Sequence, residues 1–422
     1  MAPSVTAMGR RPRSARNTTA VIVGAGQAGA QAAFTLRESG FAGRIVLLGD
    51  EGQPPYQRPP LSKGFLAGTA SVERLLLWPA EHYAAHGIEL MLHSPVERID
   101  PAAGRVVLRG GARLGYDLLL LATGSRARRL EIPGARAPAV HSLRTLQDAF
   151  RLRSNLTAGR RVVVVGGGYV GLEVAAVAAT ARARVTVVET LPHLLSRVTT
   201  PPVSDHFAAL HRHHGVDVRC TTEALAFVGG ERLDALETTG GRIAADIAIV
   251  GVGAEPNVEL ARTAGLACDN GIVVDAYCRT SDPAIYAAGD CTSHPALGDG
   301  ERVRLESVQN AVDQASAAAR TMAGLPTRYA EVPWFWSNQY ECRLQTAGTC
   351  IGHDEIVTRG DPATGSFACL YRRGGALIGV DAVNLPREYM QVRRELAATL
   401  AARAGGSRAD DAAPPARRQR AA

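Results

Sequence analysis

Two stretches of the chain share one hydrophobic pattern. Ala20-Val21-Ile22-Val23 is an unbroken apolar run, followed by the turn Gly24-Ala25-Gly26-Gln27-Ala28-Gly29 and an alanine-rich segment with helical spacing. A second apolar run then ends in Leu47-Leu48-Gly49-Asp50. The pattern returns 142 residues later. Val162-Val163-Val164-Val165 leads into Gly166-Gly167-Gly168-Tyr169-Val170-Gly171, a helical stretch, and Val185-Thr186-Val187-Val188-Glu189. A short continuous apolar run bounded by turn signals reads as a strand covered on both faces. Each stretch therefore predicts a strand, a glycine turn, a helix and a second strand closed by an acid, which is the β-α-β unit of a doubly wound fold.

Between the two units, residues 96–99, 105–108 and 116–121 read as short strands separated by Pro/Gly turns. After the second unit, strands are expected at 246–250, 272–274 and 285–288, and a helix at 307–323. From Glu331 the texture changes to aromatics and short β-runs, with strands expected at 355–358, 368–371 and 377–380 and a helix at 387–403. The change near 328–331 marks a candidate domain junction.

The formal charge of +7 hints at nucleic acid, but its distribution removes most of that hint. Residues 1–20 carry +4 and residues 404–422 carry +2, leaving +1 for everything between. A nucleic-acid binder needs its basic residues gathered on the folded surface. Both ends read as disordered tails, rich in Arg, Ala, Pro and Gly. No apolar run approaches the roughly 20 residues that span a bilayer, and no signal peptide is expected. Seven scattered cysteines, none in a C-x-x-C pair, suit reduced thiols in the cytoplasm and give no metal-ligand spacing. The cluster His211, His213 and His214 reads as a solvated helix end rather than a metal site. Of the 47 basic residues, 46 are Arg and one is Lys, namely Lys63. Arg and Lys are not interchangeable where a compact charge is needed.

One G-x-G-x-x-G is weak evidence; two in the same context are strong. The glycines allow a tight turn and the close approach of a pyrophosphate to a helix N-terminus, whose partial positive charge favours the anion. The closing acid accepts hydrogen bonds from an adenosine ribose. It follows 21 residues after Gly29 and 18 after Gly171. Two dinucleotide sites imply two cofactors, and hydride exchange between a nicotinamide and a flavin is the chemistry they suggest. An acid at Glu189, followed by Thr190, Leu191 and Pro192 with no Arg until Arg197, favours NADH over NADPH at the second site.

Further stretches complete the picture: Arg58-Pro59-Pro60-Leu61-Ser62-Lys63, Ala122-Thr123-Gly124, Gly251-Val252-Gly253-Ala254-Glu255-Pro256-Asn257, Ala288-Gly289-Asp290-Cys291, Glu306-Ser307-Val308-Gln309-Asn310-Ala311 and Pro333-Trp334-Phe335-Trp336-Ser337. With these, residues 19–403 resemble the flavoprotein NADH:ferredoxin reductases of the putidaredoxin reductase type. The resemblance implies an α/β chain with two Rossmann-like dinucleotide-binding domains of the glutathione-reductase-like fold and an α+β C-terminal domain. It places an FAD-binding domain at 19–125 and 259–328, an NAD-binding domain at 126–258 and the C-terminal domain at 329–403. Tails are expected at 1–18 and 404–422.

The resemblance assigns FAD to the turn of Gly24, Gly26, Ala28 and Gly29, and NADH to that of Gly166, Gly168 and Gly171, with Glu189. Asp50 would bind the FAD ribose, with Glu51 as an alternative. Lys63 would sit beside the flavin N5, paired with Glu173, where a compact ammonium stabilises charge on the reduced ring. Asp290 would hold the ribityl chain. Val96, Arg144 and Val308 match other FAD-contacting positions, Val308 at a helix N-terminus. Gly253 and Glu255 would border the nicotinamide, and Trp336 would lie near the flavin on the electron exit route.

Disulfide reductases of this fold place a redox cysteine pair early in the FAD domain or in the nucleotide domain, whereas the first cysteine here is Cys220, outside any such motif. The flavin would therefore pass electrons directly to its acceptor. The family's usual acceptor is a 2Fe–2S ferredoxin serving a haem or Rieske-type oxygenase. Rubredoxin, a quinone or a radical acceptor is the nearest alternative, and a redox-responsive binding protein of the apoptosis-inducing-factor type a more distant one. Arg302, Arg304, Arg372, Arg373, Arg387, Arg393 and Arg394 are candidates for a basic landing surface. A monomer without metal, nucleic acid or membrane partner is expected.

Overall fold

The computed structural model describes residues 17–230, 232–296 and 301–406. They fall into two units: residues up to 194 with 208–330, and residues 195–207 with those from 331 onward.

The first unit holds two five-stranded parallel sheets. In the first, the strand order is Ile285–Ala287, Leu118–Leu121, Thr19–Val23, Arg44–Leu48, Ile88–Met91. In the second it is Asp217–Arg219, Arg184–Val188, Arg161–Val165, Ile247–Val250, Val140–His141. The central strands are buried along nearly their whole length, as their apolar sequence requires. Helix Gln27–Glu38 presents Ala28, Ala32 and Ala33 to a core that also takes Ala311, Ala315 and Ala318 of helix Val308–Met322. Alanine on both sides lets the two backbones approach closely.

Several expected elements have different bounds. The strand expected at 116–121 begins at Leu118, because the Asp117 carboxylate turns back to accept the Thr19 N–H at 2.8 Å. Likewise the strand expected at 246–250 begins at Ile247, with Asp246 bonded to the Arg161 N–H at 2.8 Å. An antiparallel sheet of Ala224–Gly229, Leu233–Thr238 and Gly241–Ala244 was not anticipated. His211 is fully buried, so the expected solvated face is limited to His213 and His214. No group of three metal-ligating side chains occurs among the described residues.

The second unit is a five-stranded antiparallel sheet, in the order Trp334–Gln339, Cys342–Gly348, Ala376–Val383, Ser366–Arg373, Glu355–Asp361. Helix Pro386–Gly406 buries Tyr389, Val392 and Leu396 against Ala347, Leu370, Val380 and Ala382. The helix passes residue 403, so the tail expected at 404–422 starts no earlier than 407; residues 1–16 and 407–422 lie outside the described residues.

Side chains alternate across a strand, so Asp381 points away from the face of Val380 and Ala382. There it accepts hydrogen bonds from Thr199 Oγ1 at 2.5 Å and the Tyr371 hydroxyl at 2.6 Å. These bonds explain why residues 195–207, expected within a continuous 126–258 domain, belong to the second unit. Burial raises the Asp381 carboxyl from its usual value to about 6, despite those two donors. A carboxyl whose pKa is raised by folding stabilises the fold fully below its unfolded pKa of about 4, and that contribution is lost as pH rises through about 6. Asp381→Asn keeps an acceptor without the charge. Its melting temperature should exceed the parent's at pH 8, and the gap should close at pH 5.

Candidate functional site

The two glycine turns follow the same plan. Gly24 and Gly166 have φ of +112° and +108°, a region that disfavours any residue with a Cβ. Their amides bond the ends of the neighbouring strands, Leu48 O and Val188 O, both at 2.8 Å. A Cβ on Gly24 would stand 2.2 Å from the Ala122 carbonyl oxygen, and one on Gly166 2.4 Å from that of Gly251. Gly29 and Gly171 are closed by their own turns, a Cβ on either meeting the first glycine's oxygen at 1.9 and 2.3 Å. The middle glycines differ: a Cβ on Gly26 would have nothing within 4 Å, and one on Gly168 only Gly251 O at 3.9 Å. Outer glycines are thus required by the protein, while the middle ones border open space at a helix N-terminus. Ala28 is buried and packs toward Gly289, where an added Cβ would lie 3.2 Å from its own.

The closing acids are not equivalent. Glu189 directly follows its strand, and its carboxylate accepts the Gly167 N–H at 2.7 Å and the Leu191 N–H at 2.8 Å. The matching position in the first unit is Gly49; Asp50 comes one residue later, is exposed, and accepts no hydrogen bond among the described residues. Glu51 is engaged by the Tyr56 hydroxyl and by Arg58 Nη2, both at 2.6 Å. Of the two candidate acids, Asp50 is therefore the one with its carboxylate available.

Pro59–Ser62 forms a 3₁₀ turn whose prolines fix the backbone, and Lys63 leaves it directly. Lys63 Nζ lies 2.5 Å from Glu173 Oε2, an oxygen that also accepts the Ser62 hydroxyl at 2.5 Å. Glu173 is carried by helix Tyr169–Thr180, behind the second glycine turn, and its side chain is 3 % exposed. The pair therefore joins the two halves of the first unit.

Asp290 follows the strand Ile285–Ala287 and accepts Arg144 Nη2 at 2.8 Å and Ser125 Oγ at 2.9 Å. Both bonds go to Oδ2; Oδ1 accepts none among the described residues. Arg58 Nη1 donates to the Arg144 carbonyl at 2.7 Å, tying this cluster to the Lys63 turn. Val308 begins its helix, capped by Ser307, which accepts the Asn310 N–H at 3.0 Å. Helix and Asp290 corner are pinned together by Gln314 Oε1, which accepts the Gly289 N–H at 2.7 Å. Val96 opens the strand Val96–Asp100, two residues beyond Ser94, whose N–H bonds Gly49 O at 2.7 Å beside Asp50. Gly253 has φ of +105° and open space where a Cβ would stand. Trp336 lies in the second unit, its ring centroid 5.7 Å from that of Trp334.

Residues 18–315 match the model of the pyridine nucleotide-disulphide oxidoreductases, and residues 334–416 that of the reductase C-terminal domain. Rhodocoxin reductase of Rhodococcus erythropolis is 46 % identical over 382 residues, covering 90 % of either chain. This chain belongs to the pyridine nucleotide-disulphide oxidoreductase family. Putidaredoxin reductase of Pseudomonas putida is 44 % identical, over 90 % of this chain and 91 % of its own. The crystal structure of a covalent putidaredoxin reductase–putidaredoxin complex aligns with a TM-score of 0.88 at 43 % identity, over 90 % of this chain and 93 % of that one.

Members of this family bind FAD and NAD(H). The residues present fit two dinucleotides: open space over Gly26 and Gly168, a free acceptor oxygen on Asp290, and an available carboxylate on Asp50. The family name includes disulphide chemistry, but all seven cysteines here are free. Cys291 adjoins Asp290, yet it is fully buried, and burial raises its thiol above the usual range. It is therefore held as an unreactive thiol. Sequence reasoning missed Ser62, Ser125 and Gln314. The first two stand inside or beside quoted motifs, while nothing in the sequence signals Gln314. Arg302 and Arg304, named for a landing surface, have local partners: Arg302 Nη2 donates to Val274 O at 2.7 Å, and Arg304 pairs with Glu306.

Proposed function

We propose that the chain takes hydride from NADH onto FAD and passes the electrons singly to a 2Fe–2S ferredoxin that serves a haem or Rieske-type oxygenase. The observation that carries this reading is the Lys63–Glu173 pair, which couples the two glycine-turn halves through a compact charge. The first turn holds FAD and the second NADH. When bound, the flavin accepts two electrons as hydride and releases them one at a time, which suits a one-electron carrier.

The chain's own residues prepare that exchange. Gly26 and Gly168 leave room for each pyrophosphate, and the helix N-termini behind them favour its charge. Asp50 takes the FAD ribose and Asp290 the ribityl hydroxyls, with Arg144 and Ser125 fixing its orientation. Arg144, Val96 and Val308 border the flavin, and Gly253 and Glu255 the nicotinamide. Lys63, kept in place by Glu173 and Ser62, presents positive charge where the flavin gains electrons. No reactive thiol intervenes, so electrons leave directly, with Trp336 on the exit side. Free cysteines support a cytoplasmic site, and no helix among the described residues is long and apolar enough to cross a membrane. A monomer is proposed.

Anaerobic stopped-flow tests the reading. NADH should bleach the FAD-loaded protein, and a 2Fe–2S ferredoxin should reoxidise it. Absence of bleaching would overturn the two-cofactor reading; bleaching with reoxidation only by rubredoxin or a quinone would reassign the acceptor. Cofactor choice gives a separate expectation. A carboxylate at Glu189 would repel a 2′-phosphate, so Glu189→Gln should raise the NADPH-to-NADH ratio of kcat/KM by roughly tenfold, equivalent to about 1.4 kcal/mol.

A further inference from the structure

The second parallel sheet has an opposite end, and it is not featureless. A cavity of about 190 Å³ opens there, lined by Arg160, Arg232, His141, Asn155, Asp246 and Ile247. It lies where the strands Arg161–Val165 and Ile247–Val250 begin, whereas the glycine turn lies where they end. Five residues at about 3.3 Å each put roughly 16 Å between the two places.

The charges in this cavity are unbalanced. Asp246 is the one acid among its described lining residues, and every hydrogen bond on that carboxylate among the described residues comes from Arg161: the N–H at 2.8 Å, Nε at 3.1 Å, and Nη2. Arg160 and Arg232 form no side-chain hydrogen bond or ion pair among the described residues. Arg160 Nε is moreover buried without a hydrogen-bond partner. A buried guanidinium N–H left unsatisfied is costly, and native structures seldom keep one unless a water or an ion completes it. Arg160, whose charge also acts on Asp246, and the exposed Arg232 stand beside an imidazole, a set that matches a small oxyanion, which accepts forked hydrogen bonds from Arg.

We propose that this cavity is a binding site for a phosphate-sized dianion, inorganic phosphate or the phosphate end of a monoester, separate from both dinucleotide sites. The cavity volume exceeds what one tetrahedral oxyanion needs, which leaves room for a short ester substituent. His141 provides an internal reporter. Burial lowers its pKa, the charges of Arg151 and Arg160 lower it further, and Asp148 opposes them. Asp246, neutralised by Arg161, and Arg232 complete the charged groups around it. A bound oxyanion reverses the local sign, so it raises the His141 pKa.

The test uses the FAD-loaded full chain with saturating NAD⁺, so that the pyrophosphate cradles are filled. Inorganic phosphate and glycerol 2-phosphate are titrated by calorimetry at pH 6 and pH 8, with His141 followed by NMR. One saturable site is expected, with an upward shift of the His141 pKa and unchanged KM for NADH. Arg160→Met and Arg232→Met should each weaken binding about tenfold or more, and Arg160→Lys, which keeps the charge without the fork, should weaken it less than Arg160→Met. Comparable binding of the ester would identify the ligand as a phosphate monoester, and binding of inorganic phosphate alone would identify the free ion. Absence of saturable binding, full retention of binding in both Met variants, or competition between phosphate and NADH would each overturn the proposal.

Discussion

Lys63→Met should slow flavin reduction at saturating NADH by about 100-fold, the scale seen when one preorganised charge-stabilising donor is removed from an active site. FAD should stay bound, and the Kd for NADH should change little, because the ammonium acts on charge that develops during transfer. Removing the lysine also leaves the Glu173 carboxylate, 3 % exposed, without its cation. A buried carboxylate that loses its paired cation destabilises on the order of 3 kcal/mol, so the single variant should also melt earlier. That second effect would confuse a structural role with a chemical one. Lys63→Met combined with Glu173→Gln separates them: the double variant keeps an acceptor for the Ser62 hydroxyl and buries no charge. Its melting temperature should return toward the parent's while the reduction rate stays low. Recovery of rate together with stability would make the pair a structural tie and nothing more. Glu173→Gln alone should give an intermediate rate, since Lys63 keeps its charge but loses the group that holds it.

The elements that form the two cofactor folds were legible because their physics is local. Val162–Val165 is apolar without a break since both faces of its sheet are covered, and Gly24 and Gly166 are glycine since their φ admits little else. Lys63 stood out by composition alone, and the resemblance supplied Glu173 as its partner 110 residues away. What escaped was set by tertiary contact. The sheet of residues 224–244 is made of short strands whose alternation is broken, as in Leu233–Thr238, where the adjacent Ala235 and Leu236 are both buried. Residues 195–207 contain no signal for the second unit; the bonds from Thr199 to Asp381 and from Thr200 to Tyr371, and the packing of His206 on Phe367, assign them there. The non-equivalence of the two acids was hidden as well. Counting from the glycines gives similar spacings for Asp50 and Glu189, and only the strand register shows that one lies a residue further on. The local partners of Arg302 and Arg304 were hidden for a related reason: a sequence shows an arginine's charge but not the carbonyl or carboxylate beside it.

The glycines of the first turn should separate into two kinds on substitution. Gly24→Ala forces a Cβ to within 2.2 Å of the Ala122 carbonyl oxygen at φ +112°. The clash is with backbone just beyond the ends of two central strands, so nothing nearby can rotate away. Strain in that region of φ adds about 1–2 kcal/mol to the steric term, and the sum should exceed roughly 3 kcal/mol. This variant should accumulate poorly and melt well below the parent even without cofactor. Gly26→Ala is the contrasting case. Its φ of −97° suits alanine, and its Cβ would enter open space. The apoprotein should therefore fold and melt like the parent apoprotein, with unchanged far-UV circular dichroism. The added methyl would instead occupy the space left for the pyrophosphate, weakening FAD by about 5- to 150-fold for an overpacking cost of about 1–3 kcal/mol. Gly168→Ala should do the same to NADH, raising its Kd while FAD stays bound. A Gly26→Ala protein that retains FAD at parental affinity would mean that the open space over the first turn is not where the dinucleotide lies. A Gly168→Ala protein that loses FAD but keeps NADH would reverse the order of the two sites. The two middle glycines thus test cofactor placement directly, in proteins whose own folding the substitution leaves intact.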